Sequence, residues 1–354
     1  MSAADEDVSY ERLAKDFFAD VSSPQQVTAA ENVDLDQKLW AQVQEMGMSL
    51  IGIPEDLGGA GGDLTSLIAV LRAQGASSAP APVADTQLAI WALTRAGVEI
   101  PDDQRPLAVI VGDARDSWTL TSGALTGCFH GVSWARSASH AVILLGKIGD
   151  ATQLALVPLD DTHIDHGRDL ASQPRDTVIL DNVAVTVTAW PGTHDELRTR
   201  YTLARGALMA GAMEEISNLT RAYVREREQF GRPIGKFQSV QEHIVRLEQM
   251  ATMSLVAVDR ATAAIARSGS GLEVALMKIL LNENARLAVR SAHQAHGAIG
   301  MTQEYRLQLL TRRLNSWLGE TGSSVELAEL VGAAASAYGV SNLITSPHTA
   351  LENS

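Results

Sequence analysis

The chain has 354 residues, 45% of them hydrophobic and 20% charged, a composition that predicts a globular protein with a large core rather than a disordered or fibrous one. Acidic residues outnumber basic ones by 42 to 28, for a net charge of −14, so the charge balance does not favour nucleic acid as a partner. No window approaches the ~18 uninterrupted apolar residues of a membrane-spanning helix, and we expect no membrane association.

The predicted elements change in character along the chain. From about Tyr10 to Ala96, apolar residues recur at spacings of three and four, which predicts helices. From about Pro106 to Trp190, short runs rich in β-branched residues predict a small β domain of about six to eight strands, with a turn at Asp181-Asn182.

Helical spacing returns after Pro191 and persists. The predicted helices run about 20 to 30 residues each and bury apolar stripes on one another. Glycine-rich breaks separate them at 230–233, 268–271 and 319–323. The whole pattern predicts a mainly α protein with a central β domain, divided into an N-terminal helical domain (1–104), a middle β domain (105–191) and a C-terminal helical bundle (192–354).

Generic chemical motifs give mostly negative results. The glycine cluster at 58–62 lacks the Lys-Ser/Thr pair of a P-loop and follows no strand, which favours a tight turn between helices over a phosphate site. His163 and His166 lie among aspartates, but no second ligand cluster stands at metal-site spacing. We therefore interpret that segment as a solvated loop and predict no metal.

The cysteine content bears on both location and chemistry. Cys128 is the only cysteine, so it cannot form an internal disulfide, and no base for it is identifiable in the sequence. The first seven residues carry three acidic side chains and no basic one, unlike the basic-then-apolar start of a signal peptide. We expect a cytoplasmic protein without a nucleophile for acyl transfer.

Two segments of the helical half are more specific. In the first, 223–238, a charged helix end leads into an exposed Phe230-Gly231 turn. Helix termination alone predicts that Gly231 caps the helix and Pro233 stops it, but Phe230 beside arginine and glutamine also suits stacking on a planar ring and binding of a diphosphate. In the second, 294–305, a helix ends at small residues where backbone can approach a ligand closely.

These segments resemble the two signatures of the acyl-CoA dehydrogenase family. The matching residues are Arg227-x-x-Phe230-Gly231-x-x-Ile234 with Gln238, and Gln294-x-x-Gly297-Ala298-x-Gly300 followed by Glu304-Tyr305. Near the N-terminus, Ile53-Pro54-Glu55-x-x-Gly58-Gly59-x-Gly61 resembles the helix-turn segment of the family. The resemblance implies an acyl-CoA dehydrogenase-like fold, with an N-terminal helical domain, a small β-barrel or sandwich domain and a C-terminal four-helix bundle.

The resemblance also implies FAD, bound between the subunits of a dimer whose helical domains pair again into a tetramer. In the family, both signatures lie on the diphosphate and adenine side of the flavin nucleotide, and the first reaches it across the subunit interface. Carried over by position, these roles fall on Arg227, Phe230, Gln238, Gln294, Gly297 and Ala298, with Ala298 in place of the usual second glycine.

The implied reaction is α,β-dehydrogenation of an acyl-CoA thioester. A carboxylate takes the α-proton, the β-hydride leaves to the flavin, and an acceptor such as an electron-transfer flavoprotein reoxidises it.

Two departures from the family pattern concern this chemistry. The family segment that holds the flavin ring is not found between Ala108 and Trp134. The catalytic Glu-Gly-Thr of the family falls on 321–323, so that Glu320 stands one residue early, and the alternative location of the base falls near Tyr201. Glu320 is the candidate base, and the competing interpretation is a solvent-facing residue at a helix start.

A subgroup of the family is similar to this pattern: the heteromeric acyl-CoA dehydrogenases of actinobacterial sterol side-chain degradation, in which two different short subunits share each FAD. The short chain, the missing flavin-ring segment and the intact cross-interface signature favour a subunit that completes the site of its partner. The alternatives are a self-sufficient homotetrameric acyl-CoA dehydrogenase and a non-catalytic structural protein of the same fold.

Overall fold

A computed structural model describes residues 3–113, 115–146, 152–269 and 271–339. The helices in this part of the chain are α1 (Ala3–Val21), α2 (Pro24–Ala30), α3 (Gln37–Glu45), α4 (Leu64–Ser77), α5 (Val83–Arg95), α6 (Glu196–Glu226), α7 (Gln238–Ser268), α8 (Leu272–His296), α9 (Leu307–Trp317) and α10 (Ser324–Tyr338). The strands are β1 (Leu107–Ile110), β2 (Ser117–Thr121), β3 (Ala124–Ser133), β4 (His140–Leu145), β5 (Gln153–Pro158), β6 (His163–Asp165), β7 (Arg175–Ala184), β8 (Thr186–Ala189), β9 (Glu228–Gln229) and β10 (Arg232–Pro233).

The described residues fall into two compact units. The first unit holds the residues up to Pro24, the segment Ile68–Ala79 and the residues from Thr202 onward, and the second holds Gln25–Leu67 and Pro80–Tyr201. A search of the described helices finds none that combines the length and apolarity needed to cross a bilayer. The two boundaries between the three domains derived from the sequence stay predictions.

The second unit contains two open four-stranded sheets, with strand orders β1-β4-β5-β8 and β2-β3-β7-β6. Alternate residues of both sheets, among them Phe129, Ile143 and Val178, meet in one buried cluster. Because side chains of a strand alternate between its two faces, each sheet contributes one apolar face to this core. The predicted sandwich is therefore confirmed, whereas the barrel alternative is wrong because neither sheet closes on itself.

Two local predictions in the β region are wrong. Asp181-Asn182 does not form a turn but lies inside β7, where the two residues stand opposite Thr126 of β3. Asn182 has φ +53° there and its N–H donates to the Thr126 hydroxyl over 3.0 Å, the arrangement of a β-bulge that absorbs one extra residue. His163 does not lie in a loop: it begins β6, which pairs with β7 at the edge of the sheet.

In the first unit, α4 and α6 approach each other backbone to backbone. A Cβ atom at Gly75 of α4 would lie 2.1 Å from the carbonyl oxygen of Leu208, and a Cβ at Gly211 of α6 would lie 2.0 Å from that of Arg72. No side chain fits at either position without moving a helix. These two glycines therefore set the distance between the helices.

The three long helices of the C-terminal half have about the predicted lengths, whereas the last two are shorter than predicted. α6, α7 and α8 contain 31, 31 and 25 residues. α7 ends at Ser268 and is capped by Gly269, whose φ of +68° is a left-handed conformation that glycine adopts readily. A short α9 and α10 follow, separated by the turn at 318–323.

Candidate nucleotide-binding site

The first signature folds as a hairpin rather than as a capped helix end. α6 ends at Glu226, and Gln229 of β9 pairs with Arg232 of β10, so that Phe230 and Gly231 form the two-residue turn. Both have positive φ, +53° and +77°, as a type I′ turn requires. The prediction that Gly231 caps the helix is therefore wrong: the helix stops one turn earlier, and Gly231 supplies positive φ to the hairpin instead.

This turn gives Phe230 a strained backbone conformation and exposes its side chain to solvent. Positive φ is strained for a bulky side chain, at a cost of roughly 1 kcal/mol. Phe230 is 91% exposed, as the sequence predicted, and its ring forms an edge-to-face pair with the Phe237 ring, with centroids 6.0 Å apart. An aromatic ring that is both strained and presented to solvent is typical of a surface that stacks on something else.

The second signature folds as the end of α8. The helix terminates at His296, and Gly297 has φ +63° and ψ −145°, a combination that is essentially restricted to glycine. A Cβ atom at Gly297 would contact nothing within 4 Å, so backbone conformation rather than packing requires the glycine. A single 3₁₀ turn, Gly297–Met301, follows and exposes Ala298.

The two signatures line one cleft of about 580 Å³ within the first unit. Five of the six residues that the resemblance selects for the nucleotide belong to its lining: Arg227, Phe230, Gln294, Gly297 and Ala298. The sixth, Gln238, is not among the lining residues, but it is the exposed first residue of α7, and its neighbours Phe237 and Ser239 line the cleft. Segments about 60 residues apart in sequence are thus brought together by contacts of α6 and α7 with α8.

Arg227 supplies the positive charge of this cleft. It is exposed, and among the described residues no carboxylate pairs with its guanidinium. The neighbouring Arg232 is engaged differently, with its guanidinium carbon 4.2 Å from the centroid of the Phe237 ring. The arginine that the family pattern assigns to the diphosphate is thus the one left available to an anion.

Sequence reasoning gave no role to three aromatic side chains that shape the inner side of the cleft, of which Tyr223 and His296 also line it. The Tyr223 ring stacks on the His296 ring, with centroids 4.5 Å apart and planes at 19°, and the Tyr305 ring packs against both. Tyr305 stood in the second signature and Tyr223 precedes Arg227 by one helical turn, so their spacing was the available signal.

Two domain profiles of known proteins match this chain. The profile described as Acyl-CoA dehydrogenase, C-terminal domain, matches residues 198–333, and the one described as Acyl-CoA dehydrogenase, N-terminal domain, matches residues 4–100. The chain belongs to the acyl-CoA dehydrogenase family. The predicted family and its order of a helical, a β and a helical region are thereby confirmed.

Among curated relatives, this family member is 27% identical over 299 residues to the acyl-CoA dehydrogenase IpdE2 of Mycolicibacterium smegmatis, covering 82% of this chain and 86% of that protein. It is also 27% identical to IpdE2 of Mycobacterium tuberculosis, over 312 residues, 82% of this chain and 85% of that one.

Solved structures share the fold. A Tcur3481-Tcur3483 steroid acyl-CoA dehydrogenase variant superposes with a TM-score of 0.85 at 23% identity, covering 94% of this chain and 98% of that one. The ChsE4-ChsE5 complex from Mycobacterium tuberculosis gives a TM-score of 0.83 at 21% identity, covering 95% and 98%.

Glu320, the candidate base, does not line the cleft and lies in the turn between α9 and α10. Its side chain is only 15% exposed, and its carboxylate lies 2.9 Å from Nε of Arg205, which is 5% exposed on α6. The interpretation as a solvent-facing residue does not describe this environment, because a buried guanidinium neutralises the carboxylate.

Lys278 of α8 interacts electrostatically with both Glu320 and Arg205. The residue is fully buried, and its Nζ donates to the carbonyl oxygen of Trp317 over 2.6 Å and to Oδ1 of Asn282 over 2.9 Å. Burial lowers the pKa of Lys278 to about 8, although the nearby Glu320 carboxylate acts in the opposite direction. These contacts tie the end of α9 to α8 just before the turn that carries Glu320.

Cys128 has a neighbour that the sequence did not reveal. Its Sγ lies 3.7 Å from Nε2 of His130, and Nδ1 of His130 lies 3.3 Å from the Asp116 carboxylate. Cys128 and His130 are two positions apart on β3, so the strand places both on the face opposite the buried Phe129. The sequence identified no base for Cys128, and the structure places the His130 imidazole beside it.

Proposed function

We propose that this chain is one subunit of an FAD-dependent acyl-CoA dehydrogenase in which a paralogous chain completes the active site. The reaction is α,β-dehydrogenation of an acyl-CoA thioester, with a steroid side-chain CoA ester as the proposed substrate. The observation that carries the proposal is the cleft on the first unit, where both family signatures meet around an exposed Phe230 and an available Arg227.

The cleft residues fit the adenine and diphosphate end of FAD. Arg227 would bind the diphosphate through charge-assisted hydrogen bonds, and Phe230 would stack on a planar ring. The open backbone at Gly297 leaves room for close approach, and Ala298, Gln294 and Gln238 would border the same nucleotide. When bound, FAD supplies the acceptor for the hydride that leaves the β-carbon.

These nucleotide contacts favour a flavin that is shared. Phe230 stands on a hairpin that projects from its own unit into solvent, so the ring can reach a nucleotide that another chain holds. The missing flavin-ring segment points the same way, since this chain has no identifiable residues of that type around 111–118. A partner that carries the isoalloxazine site would explain both features.

The paired state of Glu320 supports a base in the partner. A general base must have an unpaired carboxylate oxygen within hydrogen-bond reach of the substrate proton. Glu320 instead faces buried Arg205, which would have to be separated from it before the carboxylate could act. We therefore propose that Glu320 fixes the turn before α10 and that the α-proton is taken by a carboxylate of the partner.

The comparisons are consistent with this assembly. The similar structures include the ChsE4-ChsE5 complex. They also include a steroid acyl-CoA dehydrogenase whose name, Tcur3481-Tcur3483, joins two components. For this chain we accordingly propose a heterotetramer with a paralogous subunit in the cytoplasm. Electrons would pass to an acceptor such as an electron-transfer flavoprotein.

Co-expression tests the proposal. The chain is purified alone and together with a paralogous acyl-CoA dehydrogenase chain from the same organism, and flavin absorbance per protein is measured in each preparation. We expect a colourless chain alone and a yellow complex that bleaches anaerobically with a CoA thioester. A yellow, active homo-oligomer would establish the self-sufficient alternative, and a complex that never holds flavin would establish the structural one.

A further inference from the structure

The ring of His296 is enclosed at the junction of the two signatures. The residue is 4% exposed, with the Tyr223 ring stacked on it at 4.5 Å and the Tyr305 ring at 5.0 Å. Its flanking residues Ala295 and Gly297 line the cleft, and His296 itself contributes to the lining. The imidazole is therefore the inner wall of the proposed nucleotide site.

The hydrogen bonds of the ring specify its tautomer. Nδ1 lies 2.9 Å from the carbonyl oxygen of Ala292, which can only accept, so Nδ1 carries the proton. Nε2 is buried and has no hydrogen-bond partner among the described residues. In the neutral ring Nε2 is a bare lone pair, whereas in the imidazolium it would be a buried N–H donor without an acceptor.

His296 also contacts both signature segments directly. The Tyr223 hydroxyl, on the last turns of α6, donates to the carbonyl oxygen of His296 over 3.4 Å. On the other side, a Cβ atom at Gly300 would lie 2.8 Å from Cβ of His296, so Gly300 must be glycine for the 3₁₀ turn to pack on the ring. A shift of the imidazole would consequently move Arg227, one turn beyond Tyr223, relative to Gly297.

We propose that His296 is a positioning residue of the nucleotide cleft, held as a neutral imidazole between Tyr223 and Tyr305, and that its protonation opens the cleft and weakens dinucleotide binding. This inference rests on the proposed function, because the dinucleotide is the FAD that the cleft is proposed to bind. His296 acts through its neighbours and has no role in the chemical step.

In the described part of the chain, the groups around the His296 ring leave its protonation uncompensated. On α8 the nearest titratable group is His293, which would repel an imidazolium, and the facing groups from α6 and the segment after α8 are the Tyr223 and Tyr305 phenols. Arg227 adds a positive charge to the cleft, Glu226 and Arg306 act on Tyr305, and Ser239 and Val240 of α7 are uncharged. Burial accordingly lowers the pKa of His296, so the neutral form persists until the solution is acidic.

The direction with pH follows from this lowered pKa. There is a pH range in which His296 is neutral in the closed cleft but already charged in an open one. In that range the closed cleft binds fewer protons than the open one. The closed state is therefore fully favoured above the ordinary histidine pKa of about 6.5 and loses that advantage as the pH falls through the lowered pKa.

The test measures the FAD dissociation constant of the co-expressed complex at pH 7.5 and pH 5.5, for the wild type and two variants. His296→Phe keeps an aromatic ring against Tyr223 but cannot titrate, and His296→Asn keeps a donor for the Ala292 carbonyl but loses the stack. We expect wild-type affinity to fall between the two pH values, by up to about tenfold, the limit set by an ordinary histidine pKa of about 6.5 in the open cleft, and neither variant to show that step. His293→Asn is the control and should retain it.

A second measurement does not depend on flavin. In the flavin-free chain, near-ultraviolet circular dichroism of the tyrosines should change between pH 7.5 and 5.5 in the wild type and in His293→Asn, but not in His296→Phe or His296→Asn. If the chain and its complex bind no FAD, the proposed function fails while this measurement still judges the role of His296. A pH step that persists in both His296 variants, or FAD binding that tightens as the pH falls, would overturn the inference.

Discussion

Arg227 is the residue on which nucleotide binding should depend most. A bidentate contact between a guanidinium and a diphosphate contributes about 1.5 to 3 kcal/mol, so Arg227→Ala should weaken FAD binding by roughly ten- to a hundredfold. Flavin occupancy after dialysis of the complex measures this. Arg225→Ala is the matched control, because Arg225 is exposed on the last turn of α6 but does not line the cleft. Equal flavin retention by the two variants would refute the assignment.

Glu320 should matter for stability more than for catalysis. Glu320→Gln keeps the shape of the side chain but removes the carboxylate charge that lies 2.9 Å from Nε of the buried Arg205, at a cost of about 1–3 kcal/mol in the free energy of unfolding. If the partner carries the base, flavin reduction by a CoA thioester should slow less than about tenfold.

Anaerobic flavin bleaching and chemical denaturation of the Glu320→Gln complex measure the two effects. Glu329→Gln, an exposed carboxylate on α10, is the control and should change neither. Loss of bleaching by several orders of magnitude with flavin still bound would identify Glu320 as the base.

Lys278 should make stability depend on alkaline pH. Its pKa falls from 10.5 in the unfolded chain to about 8 when folded, so between these values the unfolded state binds more protons and stability rises with pH. Below pH 8 the buried charge costs about 3 kcal/mol. From pH 7.5 to 9.5, the wild type should gain about 2 kcal/mol relative to Lys278→Met. Denaturant unfolding of both proteins at the two pH values tests this, and parallel pH profiles would contradict it.

At the scale of elements, the α4–α6 contact is the most sensitive to added volume. Gly211→Ala places a Cβ against the Arg72 carbonyl and should lower the free energy of unfolding by about 3 kcal/mol or more, because helix backbones must separate. Gly332→Ala on α10 is the control: nothing lies within 4 Å of its Cβ, and the helical preference of alanine should stabilise by about 0.5–1 kcal/mol. Thermal or denaturant unfolding compares the stability of the two variants. Equal effects would show that α4 and α6 move apart at little cost.

The long helices and the hairpin of the C-terminal half were predicted with unequal success. The spacing of apolar residues predicted α6, α7 and α8 and the breaks between them, because apolar residues of an amphipathic helix recur in the sequence at the helical period. The hairpin at 228–233 escaped prediction, because its two strands are only two residues each and Gly231 serves a helix cap and a tight turn equally well.

At the scale of the whole molecule, exposed apolar side chains on α7 and α8 predict assembly. Val245, Met253, Val256, Leu276 and Leu287 are between 41% and 60% exposed. Large apolar surface on long helices commonly marks a subunit interface. We therefore expect sedimentation of the purified protein as a dimer or larger species at micromolar concentration.

A charge on this surface provides the check on assembly. Val256→Glu should shift the protein toward smaller species, whereas Val325→Glu, at an exposed position of α10, should not. Sedimentation of the wild type as a well-behaved flavin-free monomer would contradict the prediction.

The sequence by itself determined the family, the order of helical and β regions and five of the residues that meet in the cleft. This was possible because helical periodicity, β-branched runs and two signatures are local patterns, legible without knowing what packs where. The domain boundaries and the residue roles toward FAD remain predictions, since both depend on contacts that a linear pattern does not contain.

Only the tertiary structure decided the state of individual side chains. The pairing of Glu320 with Arg205 joins residues more than 100 positions apart, and the enclosure of His296 between Tyr223 and Tyr305 joins three segments. The bulge at Asn182 and the contact of Cys128 with His130 likewise arise from strand pairing and side-chain direction. Burial and charge pairing depend on which surfaces meet in three dimensions, and that is the physical reason why the chemistry of these residues became visible only in the folded chain.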